Sequence, residues 1–273
     1  MSQYRPASDG LPARIVRPWA KDKLHYLQRY VHAFTTSMHG KWDRLVYIDL
    51  FSGPGISIIE DTDEEIEGSP IIALKAPFPF TELFFNDLSK TAADALAARV
   101  GARPDVIVTN LDCNEAANEA SERLYGGHRD SRTLGLAFID PTAFQIGLDA
   151  IALLTKGRRL DVLLTVMTGY MRRFITQRSY AEPMTQFFGS QDWQRMVDET
   201  DEGERITSRK LLDHYESRLR AIGYTSFDDE IRIANTREAL IYHLVFASKH
   251  PFPKSLFKSI SRKGPTGQTR LDL

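Results

Sequence analysis

The stretch LVYIDLFSGPGIS, from Leu45 to Ser57, decides the fold of this 273-residue chain. Mostly apolar residues run into Asp49, and a turn containing Gly53 and Gly55 follows at once. Glycines in such a turn let the backbone approach a ligand closely and leave backbone N–H groups free to bind it. We therefore interpret the stretch as a buried strand that ends at a ligand-binding turn.

Apolar and amphipathic segments alternate after this turn. Four further strands are predicted at FTELFFNDLS, DVIVTNLD, RTLGLAFIDP and LDVLLTVM, with helices between them. This alternation predicts a single α/β domain over residues 1–273, with a mostly parallel central sheet and helices on both faces. Residues 170–222 lose the alternation and predict a helical insertion after the fifth strand. The segments DDEIRIANT and EALIYHLVFAS predict a closing pair of strands.

Each of the first four predicted strands ends at an aspartate, namely Asp49, Asp87, Asp112 and Asp140. In parallel sheets, ligands bind beyond the carboxyl ends of the strands. We therefore expect these four side chains together at that edge of the sheet. The phosphate-binding pattern GxxxxGK(S/T) is absent, and Ile58 stands where a dinucleotide fingerprint needs a small residue. A pyrophosphate would also be repelled by Asp49.

A cofactor that carries an amine, a sulfonium and a ribose, but no phosphate, fits these acids, and S-adenosylmethionine has these groups. Asp49 and the glycine turn are predicted near its methionine end. Asp87 is predicted to accept both ribose hydroxyls, and Asp112 with the backbone of Cys113 to face the adenine amine. Ser69, the predicted N-cap of the helix that begins at GSP, completes the cofactor-binding set. The alternative for any single aspartate is a helix cap.

The segments YIDLFSGPG, GSP, FFNDLS, FIDP and IYHLVFASKH together resemble the three-Cys-motif partner protein family. The resemblance covers roughly Lys21 to His250. It implies a Rossmann-like class I methyltransferase fold with S-adenosylmethionine as cofactor. Members of this family are commonly encoded beside a radical-type iron–sulfur protein with three cysteines, so the resemblance also implies such a partner.

The segment DPTAF, from Asp140 to Phe144, is the candidate catalytic motif. Amino-directed nucleic-acid methyltransferases carry a D/N-P-P-Y/F segment at this strand end, which orients a target amine and stacks an aromatic ring on the base. By this analogy Asp140 and Pro141 orient an amine, and Phe144 stacks. The segment lacks the second proline and its aromatic residue is displaced by one place. The alternative is that Asp140 is a cap and Phe144 a core residue.

Cys113 is the only cysteine of the chain. DLFSGPG also resembles the first motif of cytosine-carbon methyltransferases, but those enzymes need a Pro-Cys nucleophile, and Cys113 follows Asp112 instead. We therefore interpret Cys113 as a small buried residue or a backbone position in the adenine pocket. One cysteine also leaves no disulfide within the chain and no cysteine-cluster metal site, and the histidines show no metal-ligand spacing.

The formal net charge of −1 hides two basic ends. Residues 1–44 hold eight Lys or Arg and three Asp or Glu, and residues 249–273 hold six and one. The acidic segment Glu60–Glu67 is predicted to be an exposed loop. The basic ends suit a polyanion such as nucleic acid, or they are solvated surface. The basic–aromatic stretch Tyr170–Arg178 has the same two interpretations, a phosphate or partner contact or a solvated helix face.

No apolar run approaches the roughly 20 residues that span a bilayer, and the N-terminus has no signal-like apolar core. We expect a cytoplasmic protein without a membrane partner. The leading hypothesis is an S-adenosylmethionine-dependent methyltransferase acting on a nucleic-acid or nucleobase amine. The alternative is an accessory subunit of a radical S-adenosylmethionine protein that keeps the same fold.

Overall fold

The structure is a computed structural model that describes residues 3–126, 132–199 and 206–261. Residues 262–273 of the predicted basic C-terminal segment lie outside the described residues. The strands in these ranges are β1 (Tyr4–Pro6), β2 (Pro12–Val16), β3 (Arg44–Asp49), β4 (Ile56–Ile59), β5 (Glu65–Glu67), β6 (Glu82–Asn86), β7 (Val106–Thr109), β8 (Thr133–Ile139), β9 (Arg159–Val166), β10 (Ser226–Ala234) and β11 (Leu240–Ser248). The helices are α1 (Ala20–Met38), α2 (Ser69–Leu74), α3 (Lys90–Val100), α4 (Cys113–Tyr125), α5 (Leu148–Thr155), α6 (Thr168–Phe174), α7 (Ala181–Phe188), α8 (Trp193–Asp198), α9 (Ser208–Ala221) and α10 (Pro251–Ser261), with a short 3₁₀ turn at Arg178–Tyr180.

The larger of two sheets has the strand order β10-β11-β9-β8-β3-β6-β7. Its strands are parallel except for β11, which is antiparallel to both of its neighbours. This confirms the predicted Rossmann-like class I methyltransferase fold. The chain runs outward from β3 to β6 and β7 and then returns to β8 on the other side. The switch point of the sheet therefore lies between β3 and β8, where ligands of such folds bind.

Strand β3 is buried along its whole length because helices cover both faces of the sheet. Val46 and Ile48 pack into a core with α4, α5 and the helices that follow β9. Leu45 and Tyr47 pack into a second core with α1, α2 and α10. Alternate residues of a strand point to opposite faces, so this short apolar run serves both cores.

The region after β9 is helical, as predicted, and begins at Thr168, two residues before the predicted start. Helices α6 to α9 occupy it within the described residues, and they add to the core on the α4 and α5 face. The predicted closing strands are β10 and β11, which pair antiparallel. Strand β11 also pairs with β9, which joins the two closing strands to the larger sheet.

A second, four-stranded sheet in the order β1-β2-β4-β5 was not predicted. The acidic segment Glu60–Glu67 is mostly exposed, but it forms the turn and one strand of the β4–β5 hairpin rather than an irregular loop. Its carboxylates pair with bases of residues 1–44, for example Arg5 with Asp63 at 2.6 Å and Arg17 with Glu60 at 2.6 Å. The basic N-terminal segment is therefore neutralised largely within the chain.

Arg99 of α3 joins this small sheet to the rest of the molecule. Its guanidinium donates to the backbone oxygens of Leu11 (3.2 Å), Pro12 (2.8 Å) and Pro54 (2.6 Å), and it forms an ion pair with Asp9. The Arg99 side chain is only 6% exposed. One side chain therefore links the N-terminal hairpin to the turn that follows β3.

Replacing Arg99 is expected to loosen the small sheet selectively. Arg99→Met keeps most of the apolar stem but removes every one of these hydrogen bonds, and each bond to a charged group contributes roughly 1.5–3 kcal/mol. We expect the free energy of unfolding in urea to fall by about 3 kcal/mol and amide exchange to speed up in residues 4–16. Arg103→Met, which breaks an exposed ion pair with Asp105, is the matched control. Equal losses in the two variants would contradict the linking role of Arg99.

Candidate active site

Asp49 is the last residue of β3 and is fully buried. Its Oδ1 accepts a hydrogen bond from the Phe51 N–H at 3.1 Å, but its buried Oδ2 has no hydrogen-bond partner among the described residues. Gly53 and Gly55 follow with φ of 64° and 90°, a backbone conformation that favours glycine. A buried acceptor without a partner is costly, so a ligand donor or cation at this strand end would be stabilising.

Burial raises the pKa of the Asp49 carboxyl to about 7. The Ser69 hydroxyl and the Phe51 N–H favour the charged form and oppose this rise. The nearby carboxylates of Asp140 and Asp87 reinforce it. The structure thus brings the acids of three different strand ends into one electrostatic cluster, as expected from the parallel sheet.

Ser69 is not the N-cap of α2, which corrects the sequence-based expectation. Helix α2 begins at Ser69, and its N-cap is Gly68, whose N–H donates to the Gly55 oxygen at 2.8 Å. A Cβ on Gly68 would lie 3.1 Å from that oxygen, so a side chain there would crowd the turn. Ser69 is instead buried beside Asp49, where its hydroxyl favours the ionised carboxylate.

Asp87 follows β6 directly and is 5% exposed. Its Oδ2 accepts hydrogen bonds from the Gly53 N–H at 2.9 Å and from Arg14 at 3.3 Å, and its Oδ1 accepts one from the Ser89 N–H at 2.8 Å. The glycine turn is therefore tied to the second strand end by one carboxylate. Arg14 lies on β2, and nothing in the sequence pattern linked it to this site.

Leu88 is a second residue that the sequence analysis missed. It is 71% exposed, the largest exposed fraction among the large apolar side chains of the described residues. Asn110 holds the backbone there by donating to the oxygens of Asp87 and Leu88, both at 2.8 Å. An apolar residue directly after the strand-end acid was the signal that could have identified it.

Asp112 caps α4 rather than ending a strand. Strand β7 ends at Thr109, and the Asp112 carboxylate accepts a hydrogen bond from the Asn114 N–H at 2.9 Å. Cys113 is buried, and its thiol donates to the Gln145 oxygen at 3.2 Å. Burial, reinforced by the Asp112 charge, raises the pKa of this thiol to about 12. The thiol is therefore protonated near neutral pH, and it is unsuited to act as a nucleophile.

Asp140 follows β8 and forms an ion pair with Lys23 of α1. The Asp140 and Lys23 side chains are 20% and 14% exposed. Lys23 also lies 5.7 Å from the centre of the Tyr242 ring. Pro141, the next residue of the candidate motif, is buried. The partner of Asp140 comes from a distant helix, so the sequence analysis could not associate the two.

Phe144 is 5% exposed and belongs to a cluster of aromatic rings. Its ring centre lies 5.7 Å from that of Tyr170, 6.1 Å from that of Tyr180 and 5.9 Å from that of Phe187. This packing favours the core interpretation of Phe144 over base stacking. It also shows that the aromatic residues of Tyr170–Arg178 pack inward, while the arginines of that stretch are exposed.

The described ranges contain no group of three or more His, Cys, Asp or Glu residues placed to hold a metal ion. In the same ranges, each helix is too short or too polar to cross a membrane.

Comparison with known proteins supports the fold. No protein-family model and no curated protein matches the chain. A solved structure from Legionella pneumophila is 12% identical, with 90% of this chain and 94% of that one covered and a TM-score of 0.51. A Listeria monocytogenes structure, provisionally described as an S-adenosylmethionine-dependent methyltransferase, is 12% identical over 81% of this chain and 99% of its own, with a TM-score of 0.43. The first likeness shows the fold alone, and we base no argument on the second.

The raised pKa of Asp49 predicts a pH effect on stability. The folded state holds this proton up to about pH 7, whereas the unfolded chain loses it near pH 3.8. Its contribution is therefore fully present below pH 3.8 and is lost as the pH rises through about 7. Asp49→Asn should gain stability relative to the wild type between pH 5.5 and pH 8, measured by urea unfolding.

Asp161, whose pKa burial raises to about 6, acts in the same direction but is present in both proteins. The difference between them therefore isolates Asp49. Asp149→Asn, which changes an exposed carboxylate of α5, is the matched control. An unchanged difference between Asp49→Asn and the wild type across this pH range would contradict the raised pKa.

Proposed function

We propose that the chain is an S-adenosylmethionine-dependent methyltransferase whose acceptor is an amine of a nucleic acid or nucleobase. The observation that carries this proposal is the cluster of Asp49, Asp87 and Asp140 around the glycine turn, at the switch point between β3 and β8. Three carboxylates disfavour a phosphate-bearing cofactor and favour a cationic one that offers hydroxyl donors.

Asp49 is proposed to meet the cationic methionine end of the cofactor. Its Oδ2 is buried without a hydrogen-bond partner in the described ranges, and its pKa of about 7 means that the carboxyl can ionise when a cation approaches. Ser69 would support the ionised form, as it does without the ligand. Gly53 and Gly55 give the turn the backbone conformation that a close approach requires.

Asp87 is proposed to accept the ribose hydroxyls, but its carboxylate already accepts hydrogen bonds within the chain. A carboxylate has about four acceptor positions, and three are taken by Gly53, Ser89 and Arg14. The Arg14 contact is the longest of the three, so two hydroxyls require Arg14 to move aside. The exposed Leu88 next to Asp87 would cover one face of the adenine ring, and Asp112 with the Cys113 backbone would meet its edge.

Asp140 and Pro141 are proposed to orient the acceptor. When bound, S-adenosylmethionine supplies an electrophilic methyl group. The Asp140 carboxylate and the Pro141 carbonyl would accept hydrogen bonds from the amine and turn its lone pair toward that methyl group, and the proton that the methylated nitrogen releases would pass to solvent. The Asp140 carboxylate is paired with the Lys23 ammonium, so this ion pair would have to break before the acceptor amine could bind.

A second candidate function is an accessory subunit of a radical S-adenosylmethionine protein that bears three cysteines. Two observations favour it, and the first is that Asp87 and Asp140 both form ion pairs with cations of the same chain, Arg14 and Lys23. The burial of Phe144 also leaves the candidate motif without an available aromatic face. Such a subunit would keep the fold without transferring a methyl group itself.

Calorimetric titration with S-adenosylmethionine is the first test. We expect the wild type to bind and Asp87→Ala to bind about 10–100-fold more weakly, because hydrogen bonds to a charged group contribute roughly 1.5–3 kcal/mol. Titration in two buffers of different ionisation enthalpy should show proton release near pH 7, and Asp49→Asn should abolish it. Asp94→Ala, which removes an exposed carboxylate of α3, is the control. Absence of binding to the wild type would favour the accessory function.

Substitutions of Asp140 test the methyl-transfer step. Asp140→Ala should lower the formation of S-adenosylhomocysteine with nucleic-acid acceptors by about 100-fold, the size of loss expected when a reacting group is misplaced, with cofactor binding intact. Asp140→Asn keeps a carbonyl oxygen that can accept from the amine, so it should retain much more activity. Unchanged turnover in Asp140→Ala would overturn the assignment.

A further inference from the structure

A cavity of about 400 Å³ lies between α6, the start of α9 and the ends of β10 and β11. Its polar lining consists of Arg172, Ser208, Arg209, Arg232 and His243, and two leucines complete it. None of these lining residues is acidic. The volume falls within the range of about 300–1,000 Å³ that is usual for ligand pockets.

The cavity opens at the same edge of the sheet as the candidate active site. His243 pairs with Val166, the last residue of β9, and Arg232 pairs with His243. Strands β8 and β11 are separated by β9 alone. Neighbouring strands lie about 4.8 Å apart, so the cavity is roughly 10–14 Å from the end of β8, where Asp140 lies.

Two arginines of the cavity form no ion pair with any carboxylate of the described residues. Arg172 donates through Nε to the Ile206 oxygen at 2.8 Å, and within the described residues neither Arg172 nor Arg232 has a carboxylate within 4 Å. Arg209, by contrast, pairs with Asp213 at 2.7 Å. Arginines with unpaired guanidinium N–H groups in a cavity are the usual ligands of phosphate oxygens.

A hydroxyl without a partner provides an independent observation. Ser208 Oγ is buried and makes no hydrogen bond with the residues that the structure describes. Ser208 is the first residue of α9, a 14-residue helix whose N-cap Thr207 accepts from the Lys210 N–H. The positive end of the α9 dipole therefore adds to the two arginines, and the combination favours an anion.

We propose that this cavity binds a backbone phosphate of a nucleic-acid strand, at a nucleotide beside the one that is methylated. The proposal rests on the proposed function for the identity of the strand as acceptor. Enzymes that modify a base contact the flanking nucleotides as well as the target, and the distance to Asp140 suits a flanking phosphate. The exposed Arg173, next to Arg172 on α6, would continue the contact along the strand.

The test is fluorescence anisotropy with labelled single strands of RNA and DNA about 12 nucleotides long, a length within the usual site sizes of single-strand binding proteins. Arg172→Gln and Arg232→Gln should each weaken binding by roughly tenfold. Each should also reduce the slope of log affinity against log salt by about 0.7, the value for one lost phosphate contact on a single strand. Arg232→Lys should recover part of the affinity.

Arg159→Gln is the matched control, since it removes an exposed arginine at the opposite end of β9. Thermal unfolding checks that every variant is folded. Equal effects of Arg232→Gln and Arg159→Gln on affinity and on the salt slope would overturn the proposal. Binding of inorganic phosphate or of an acidic peptide, lost in Arg232→Gln, without binding of either nucleic acid would also overturn it.

Titration of the same variants with S-adenosylmethionine separates this proposal from the proposed function. Arg232→Gln should bind the cofactor as the wild type does, because the cavity lies away from the three-carboxylate cluster. If the wild type binds oligonucleotides through Arg172 and Arg232 but does not bind the cofactor, the methyltransferase function fails and the phosphate site stands.

Discussion

The site depends on a carboxylate, Asp49, held at the end of a strand that is buried on both faces. Helices cover both sides of β3, so water cannot stabilise the charge of Asp49, and its pKa rises to about 7. The turn after it can close only because Gly53 and Gly55 adopt positive φ. The Gly53 N–H in turn fixes Asp87. The turn after the buried Asp49 carboxylate thus positions Asp87, and a cation bound beside Asp49 would offset the free-energy cost of burying its charge.

Among the described residues, charges near β3 and β8 at the candidate active-site edge form ion pairs within the chain, whereas two arginines beyond β9 have no carboxylate partner. Bases of the N-terminal segment meet the acidic β4–β5 hairpin, while Arg14 and Lys23 reach Asp87 and Asp140. Beyond β9, Arg172 and Arg232 line a cavity, and neither is paired with a carboxylate in the part of the chain that the structure describes. The proposed cation site and the proposed phosphate site, at one sheet edge, would be complementary to a cationic cofactor and a polyanionic acceptor.

The contacts of Arg14 and Lys23 have a common consequence. Each places a cation of the chain on a carboxylate that the proposed function assigns to a ligand. Binding would then exchange an internal ion pair for a ligand contact, so that the net gain is smaller than the new contact alone supplies. Both cations come from residues 1–44, which also supply strands β1 and β2 of the small sheet that Arg99 holds in place. If the proposed ligands bind at Asp87 and Asp140, they would displace two side chains of this N-terminal segment.

The sequence by itself determined the parallel sheet, the strand ends at Asp49, Asp87 and Asp140, and the helical region after β9. These features follow from local apolar patterning, strand-end position and glycine, which act within a few residues. Only the tertiary structure decided the small N-terminal sheet, Gly68 as the cap in place of Ser69, and the burial of Phe144. It also decided which cations meet the acids. Arg14 and Asp87 lie 73 positions apart, and Lys23 and Asp140 lie 117 apart. Ion pairs across such separations depend on how elements pack, and no local pattern encodes that packing.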